Sequence, residues 1–260
     1  MIEGFHLGAA GTAGQVCLMH GFTGSPWDLI PVGESLAAGG FEVDCPRLPG
    51  HGFPDQAEDN CWEAWLARGQ SCLDAAVDRA DGRPVIVAGL SMGALLTLQL
   101  AYANAGRIDA IATFAPAVEV STFNRFGIWV LGNLSRVGLG ALEMPKGASD
   151  AQDQASQEEN PGSNPFPFSA YRSFGELRVR TRAIAGEVRT PTLILHGALD
   201  ATCPVAGSAW LEQALGATDV ERHILPRSGH VITRDLEVAE VGSHLLDFLR
   251  TRLKTNAVEV

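Results

Sequence analysis

Ser91 stands at the centre of a Gly-Leu-Ser-Met-Gly pentapeptide, residues 89–93. This spacing is typical of a serine nucleophile on a sharp strand-to-helix turn. The apolar residues 85–88 predict a buried strand before it, and residues 94–98 predict a helix after it. Glycines two positions before and after the serine keep side chains out of the turn, so the hydroxyl should point out above the sheet. The alternative is an ordinary serine at such a turn.

A serine hydroxyl is a weak nucleophile and needs a base, which in turn needs a group that orients it. His230 follows one predicted strand and Asp200 follows another. The carboxyl ends of parallel strands lie at one edge of a sheet, so both side chains are expected beside Ser91. Serine, aspartate and histidine in this chain order predict a catalytic triad for acyl transfer.

Other histidines and acidic residues near these loops have simpler interpretations. His20 and His196 each end a predicted strand directly before a glycine, and His51 lies in a Gly/Pro loop. These positions favour hydrogen-bonded structural histidines. Asp235 and Glu237 lie at the start of the last predicted helix, where acidic side chains stabilise a helix N-terminus. The histidines are dispersed and form no metal-binding motif.

Two backbone amides are candidates for binding the oxyanion of a tetrahedral intermediate. One is the N–H of Met92, directly after the nucleophile. The other is the N–H of Phe22, in the His-Gly-Phe-Thr-Gly loop at residues 20–24 that follows the first long strand. Glycines at positions 21 and 24 would let this backbone approach a substrate closely. The alternative is a plain strand-to-helix turn.

Short apolar runs alternate with helical patterns along most of the chain. Continuous apolar strands separated by helices predict an α/β protein with a parallel sheet covered on both faces. The predicted strands are residues 16–19, 41–45, 84–88, 108–114, 192–195 and 220–225. The predicted helices are residues 25–38, 61–80 and 92–102, and a C-terminal helix that contains residues 236–249.

Residues 118–189 break this alternation, because they are too many for one crossover helix or for a structureless loop. They are predicted to form a cap, or lid. It is inserted into a core made of residues 1–117 and 190–260, before the strand that carries Asp200. The middle of the cap, residues 149–164, is polar and acidic and predicts a mobile stretch. The alternative for this middle part is a disordered linker.

Composition limits the class of protein. Of the 260 residues 46% are hydrophobic and 19% are charged, which is enough for a large core. With 19 Lys and Arg against 30 Asp and Glu the net charge is −11, so nucleic acid and anionic membranes are poor partners.

No signal peptide is visible, and no apolar run approaches the roughly 18 residues of a membrane span, so stable membrane insertion is not expected. Five scattered cysteines without a Cys-x-x-Cys pair favour a reducing compartment. A soluble cytoplasmic protein is expected.

Together these pieces resemble the α/β-hydrolase superfamily, and within it the small bacterial carboxylesterases and monoacylglycerol lipases. The resemblance implies an α/β-hydrolase fold and hydrolysis through an acyl-enzyme, with neither a metal nor an organic cofactor. It fades over residues 118–189, where such enzymes set their substrate choice. The matching segments are residues 20–24, 48–52 (Leu-Pro-Gly-His-Gly), 89–93, 191–200 and 228–232 (Ser-Gly-His-Val-Ile).

The substrate is expected to be a small ester with an uncharged, apolar acyl chain. By analogy with the family, Phe123, Phe126, Trp129 and Leu134 are candidates for lining an acyl pocket, although they could equally form the core of the cap. Other activities on this fold stay open: a thioesterase, a lactonase, a C–C bond hydrolase or a cofactor-free perhydrolase. A non-catalytic ligand-binding homologue is the alternative from another class. The oligomeric state is not determined by the sequence.

Overall fold

The computed structural model describes residues 3–8, 13–51, 60–145, 150–160 and 165–256. Parts of three sequence predictions lie outside these residues. They are the start of the chain at positions 1–2, Gly52 of the loop at 48–52, and positions 149 and 161–164 of the polar stretch.

A seven-stranded sheet forms the centre of the described fold, with the strand order β1-β3-β2-β4-β5-β8-β9. The strands are β1 (Gly4–Leu7), β2 (Gly14–Met19), β3 (Phe41–Pro46), β4 (Val85–Leu90), β5 (Ala110–Phe114), β6 (Glu143–Met144), β7 (Phe166–Pro167), β8 (Thr192–Gly197) and β9 (Val220–Leu225). β1 pairs with β3 in the antiparallel sense, and the other pairs of this sheet are parallel. The predicted α/β class with a mostly parallel sheet is therefore confirmed.

The helices connect and cover these strands. They are α1 (Ile30–Ala38), α2 (Trp62–Ala80), α3 (Met92–Ala103), α4 (Thr122–Leu134), α5 (Gln154–Glu159), α6 (Phe168–Ile184), α7 (Ala206–Ala214) and α8 (Val238–Asn256). Where the sequence predicts one helix over residues 25–38, a 3₁₀ turn over Pro26–Leu29 precedes α1. Of the helices in the described part of the chain, none combines the length and apolarity needed to cross a bilayer.

The sheet is buried on both faces because apolar helices lie on each. One core contains side chains of α2, α3, α6 and α7, and the other contains side chains of α1 and α8. Strands β4, β5 and β8 are buried along their whole length, as their continuous apolar sequences predict. Their carboxyl ends therefore present loops at one edge of a rigid sheet.

The chain between β5 and β8 contains α4, α5, α6 and a two-stranded antiparallel sheet of β6 and β7. Helix α4 packs on α6, and α6 packs on α2 and α3. We call residues 118–189 the inserted segment. It lies on the same face of the sheet as α2 and α3, and α6 anchors it there.

Candidate active site

Ser91 lies in the turn between β4 and α3. Its backbone has φ +57° and ψ −111°, a strained conformation for a residue with a side chain. Its N–H donates a hydrogen bond to the carbonyl oxygen of Phe114 at 2.8 Å. A Cβ at Gly89 would collide with the backbone of Gly93, and a Cβ at Gly93 would collide with the carbonyl oxygen of Met19. Glycine is therefore needed on both sides of the serine.

Three side chains from three loops form one hydrogen-bonded chain. Ser91 Oγ lies 2.9 Å from His230 Nε2, and His230 Nδ1 lies 2.8 Å from Asp200 Oδ2. An ionised carboxylate only accepts hydrogen bonds, so Nδ1 donates to it and Nε2 is the atom that can accept the serine proton. The three loops follow β4, β8 and β9 and meet because these strands are parallel. This arrangement can remove the proton of the serine hydroxyl as the oxygen attacks a substrate.

The Asp200 carboxylate is held by several donors. Oδ1 accepts the backbone N–H groups of Thr202 at 2.9 Å and of Cys203 at 2.7 Å, and His196 Nε2 lies 3.0 Å from Oδ2. Burial would raise the pKa of Asp200. The charge of His230 and the hydrogen bonds from His196, His230 and the Cys203 N–H outweigh burial and hold this pKa well below its usual range. Asp200 is therefore ionised at neutral pH.

The pKa of the His230 imidazole is shifted in the opposite direction, upward. Burial would lower the pKa of His230, but its interactions with Cys203 and with the Asp200 carboxylate, which accepts a hydrogen bond from Nδ1, outweigh burial and raise the pKa well above the ordinary value of 6.5. The Cys203 thiol also contacts the ring, and burial raises the pKa of that thiol. A thiol with a raised pKa is neutral at pH 7, so Asp200 is the partner that carries a negative charge beside the imidazole at that pH.

His196 is a buried, hydrogen-bonded histidine, and its partners connect it to the site. Nε2 lies 2.9 Å from the carbonyl oxygen of Cys203 as well as 3.0 Å from Asp200. Nδ1 has no hydrogen-bond partner among the described residues, which places the proton on Nε2. His196 therefore orients the carboxylate of Asp200. The sequence carries a signal for this role, a histidine four residues before the aspartate at the end of the same strand.

The acidic residues before α8 also hold the histidine loop. Glu237 directly precedes α8, as predicted, and its carboxylate accepts hydrogen bonds from residues 227–228 at 2.7 and 2.8 Å. Asp235 lies three residues before the first residue of α8. Its carboxylate accepts the backbone N–H of Gly229 at 2.7 Å and those of residues 152–153 at 2.9 Å. Oδ1 also accepts the N–H of Leu236 at 2.8 Å, so Asp235 stands near the start of α8, as predicted, and in addition ties residues 152–153 to Gly229.

The loop at residues 20–24 runs beside Ser91. A Cβ at Gly21 would lie 3.4 Å from Ser91 Cβ, so glycine permits this close approach. His20 fixes the loop, because its Nδ1 lies 3.0 Å from the carbonyl oxygen of Gly21 and its Nε2 accepts the N–H of Leu48 at 3.0 Å. His20 is thus a buried structural histidine.

The two predicted oxyanion donors belong to residues near Ser91. Met92 is the first residue of α3, where backbone N–H groups lack partners within the helix. Phe22 follows directly on the glycine that faces Ser91. Its ring stacks on Phe174 with the centroids 5.0 Å apart and makes edge contacts with Phe166 and Tyr171 at 5.1 Å. The inserted segment therefore packs against the side chain of the residue that carries this N–H.

Ser91 and His230 line a cavity of about 490 Å³, a volume typical of small-molecule sites. The inserted segment provides much of its apolar wall. Asp28 and Asp150 also line the cavity, and no Lys or Arg does so within the described ranges. The apolar lining residues from the inserted segment are Val120, Phe123, Ile128, Leu131, Met144, Pro145, Tyr171 and Phe174.

One of the four predicted acyl-pocket residues lines this cavity. Phe123 does so at the first turn of α4, whereas Phe126, Trp129 and Leu134 are not among the lining residues. Phe126 and Trp129 are 63% and 64% exposed and stack on each other. The helical period explains the difference, because the lining residues of the next turns are Ile128 and Leu131.

A mostly parallel sheet, a serine on a strained turn after a central strand, and Asp and His after two later strands define the α/β-hydrolase fold. The chain belongs to the Hydrolase_4 family, described as serine aminopeptidase, S33, with the match spanning residues 10–237.

Two curated relatives cover nearly the whole chain. It is 28% identical over 234 residues to the thermostable monoacylglycerol lipase of Bacillus sp. (strain H-257), covering 90% of this chain and 89% of the relative. It is 24% identical over 241 residues to the carboxylesterase of Bacillus subtilis (strain 168), covering 90% and 91%. The crystal structure of Paleococcus ferrophilus monoacylglycerol lipase superimposes with a TM-score of 0.83 and 21% identity over 96% of this chain and 100% of that chain.

Proposed function

We propose that this protein is a serine hydrolase that cleaves carboxylic esters of uncharged acyl chains through an acyl-enzyme. The observation that carries the proposal is the Ser91–His230–Asp200 chain, with distances of 2.9 and 2.8 Å, opening onto a largely apolar cavity. The relatives named monoacylglycerol lipase and carboxylesterase support the ester as the bond that is cleaved.

In the first half-reaction Ser91 Oγ forms a bond to the ester carbonyl carbon while its proton passes to His230 Nε2. The negative oxygen that results accepts hydrogen bonds from the backbone N–H groups of Phe22 and Met92. The bond to the alcohol oxygen then breaks, and His230 returns the proton to the leaving alcohol. Asp200 stabilises the imidazolium while it exists and holds the ring in the productive tautomer.

In the second half-reaction water attacks the acyl-enzyme. His230 accepts a proton from the water, and the same two amides stabilise the second tetrahedral intermediate. Collapse of this intermediate breaks the bond to Ser91 Oγ, which regains its proton from His230. The products are the carboxylic acid and the free enzyme.

The lining of the cavity favours a neutral acyl chain. Its described residues contribute two carboxylates, Asp28 and Asp150, and no Lys or Arg. A substrate with a second carboxylate would lose its hydration there and find no basic side chain to pair with among the described lining residues. An alkyl chain would instead bury its surface against the aromatic and aliphatic residues of the inserted segment.

We further propose that the inserted segment acts as the cap over a core of residues 1–117 and 190–260. Support comes from its contribution to the cavity wall and from the stacking of Phe174 on Phe22.

We also infer a cytoplasmic location. Cys17, Cys45, Cys72 and Cys203 are buried thiols, which a reducing compartment preserves.

The test compares the wild-type protein with Ser91→Ala on p-nitrophenyl esters from C2 to C16 and on a monoacylglycerol. We expect turnover by the wild type and a loss in kcat of about 10⁶-fold in the variant, because the nucleophile is removed. Residual turnover within tenfold of wild type would contradict the proposal. A preference for long chains and glycerol esters would identify a monoacylglycerol lipase, and a preference for short chains a carboxylesterase.

Two further substrates separate the alternatives. The family description names an aminopeptidase, so an aminoacyl p-nitroanilide is included. Its hydrolysis in preference to every ester would overturn the ester assignment. If Ser91 reacts with a serine-directed fluorophosphonate but no ester is cleaved, an acyl thioester is tested next.

A further inference from the structure

Asp150 of the inserted segment joins the loops that carry Asp200 and His230. Its Oδ2 accepts hydrogen bonds from the N–H of Ala201 at 3.0 Å, the N–H of Thr202 at 3.0 Å and the Oγ1–H of Thr202 at 2.8 Å. Its main-chain carbonyl oxygen accepts the N–H of His230 at 2.7 Å. One residue from the inserted segment therefore contacts both loops.

These contacts reach the catalytic groups directly. The Thr202 N–H that binds Asp150 also donates to Asp200 Oδ1 at 2.9 Å, so it is shared between the two carboxylates. The hydrogen bond to the carbonyl oxygen of Asp150 is donated by the backbone N–H of His230, the catalytic base itself. The side chain of Asp150 thus holds the acid loop, and its main chain holds the base.

The backbone of Gly229, directly before His230, packs closely against Asp150. A Cβ at Gly229 would lie 2.8 Å from the carbonyl oxygen and 2.9 Å from Oδ1 of Asp150, so glycine is needed before the catalytic histidine. Asp235 provides a second anchor, because its carboxylate binds the N–H of Gly229 and those of residues 152–153. The segment that follows Asp150 is therefore tied to the same loop.

We propose that Asp150 is a positioning residue that sets the placement of His230 relative to Asp200 and so couples the inserted segment to activation of Ser91. This inference rests on the proposed function of the triad. A carboxylate suits the role because one of its oxygens accepts three hydrogen bonds, and hydrogen bonds to a charged oxygen are strong. Removing it eliminates three hydrogen bonds to the acid loop at once.

The experiment compares Asp150→Ala, Asp150→Asn and Glu176→Ala with the wild type. The last variant is the matched control, since it removes one carboxylate from α6 whose ion pair is with Arg172. Three quantities are measured for each protein: the rate constant for labelling of Ser91 by a fluorophosphonate, kcat and KM on a p-nitrophenyl ester, and the pH profile of kcat/KM. Thermal unfolding shows that each variant is folded at the assay temperature.

For Asp150→Ala we expect kcat and the labelling rate to fall by about 10- to 100-fold, with KM changed less than threefold, because the reacting groups are misplaced. The acid limb of kcat/KM should move to lower pH, since a looser contact with Asp200 no longer favours the charged imidazole as strongly. A fall in the folded fraction alone would not move this limb. Asp150→Asn keeps one accepting oxygen, so its losses should be smaller, about three- to tenfold. Glu176→Ala should match the wild type.

Wild-type rates and an unmoved acid limb in Asp150→Ala would overturn the inference. If that variant does not fold, the same result in Asp150→Asn overturns it. Failure of the fluorophosphonate to label wild-type Ser91 is a different outcome, because it contradicts the proposed triad itself.

Discussion

At the scale of the residue, the candidate site is a chain of hydrogen bonds, and the fold determines the charge of the side chains that form it. Asp200 stays ionised because several donors converge on it, and its charge in turn raises the pKa of His230. The imidazole must be neutral to accept the proton of Ser91. Activity should therefore depend on pH through this one ring.

We predict that kcat/KM of the wild type rises with pH and that the midpoint lies above 6.5, the ordinary pKa of histidine. In Asp200→Asn the negative charge that favours the imidazolium is lost, so the midpoint should move to lower pH. The imidazole also loses its orienting acceptor, and kcat should fall by about 10³- to 10⁴-fold. Rates measured on one p-nitrophenyl ester from pH 5 to 9 test both points. A flat wild-type profile from pH 5 to 8 would contradict them.

At the scale of the element, the turn between β4 and α3 determines where Ser91, the proposed nucleophile, lies. Strand β2 passes so close to the start of α3 that Gly93 has no room for a side chain. The close contact also brings the loop at residues 20–24, which follows β2, beside Ser91. The oxyanion donors proposed above depend on this packing.

Gly93→Ala should therefore lower the free energy of unfolding by about 1 to 3 kcal/mol, because the new methyl group forces β2 and α3 apart. It should also reduce kcat, since Met92 and Phe22 shift relative to Ser91. Urea unfolding and ester kinetics measure the two effects.

The control for this substitution is Gly132→Ala, in α4. There the added Cβ would meet Arg172 Cα at 3.5 Å, an ordinary contact. Because alanine has a higher helix propensity than glycine, Gly132→Ala should raise the free energy of unfolding by up to about 1 kcal/mol. Equal stability changes in the two variants would show that the crowding at Gly93 has no energetic effect.

At the scale of the whole molecule, the inserted segment and the core share one aromatic cluster. Phe22 of the core loop lies against Phe166, Tyr171 and Phe174 of the inserted segment. The same segment supplies Asp150, which contacts the loops that carry Asp200 and His230. The inserted segment is thus packed into the site at two places rather than resting on the surface of the sheet.

Phe174→Ala should destabilise the protein by about 3 kcal/mol, because a large buried ring is removed. It should also lower kcat/KM, since the Phe22 loop loses its stacking partner and the cavity wall is opened. Phe126→Ala is the control, because that ring is 63% exposed and does not line the cavity. Its stability should change by less than about 0.5 kcal/mol. Unfolding in urea and kcat/KM on a medium-chain ester are measured for both, and equal losses would contradict the role of the cluster.

The sequence by itself determined the α/β class and the positions of the main strands, because these follow from local patterns of apolar residues. Predicted and observed strand ends differ by two residues at most, since hydrogen bonding to neighbours sets where a ladder stops. The edge strand β1 and the short helix α7 were missed, because their patterns are brief and only partly buried. The Gly-x-Ser-x-Gly turn and the chain order of Ser91, Asp200 and His230 were also visible, since each follows a recognisable strand.

Only the tertiary structure decided which distant groups hold these residues. The contacts of Asp150 with residues 201, 202 and 230, and of Asp235 with residues 152–153, join positions separated by 50 or more residues. Most of their donors are backbone N–H groups, which carry no residue-specific signal in the sequence. The face of α4 that lines the cavity was likewise set by packing on α6, so Phe126 and Trp129, apolar in sequence, point elsewhere. Local patterns specify elements, whereas the geometry of a site depends on how the elements pack.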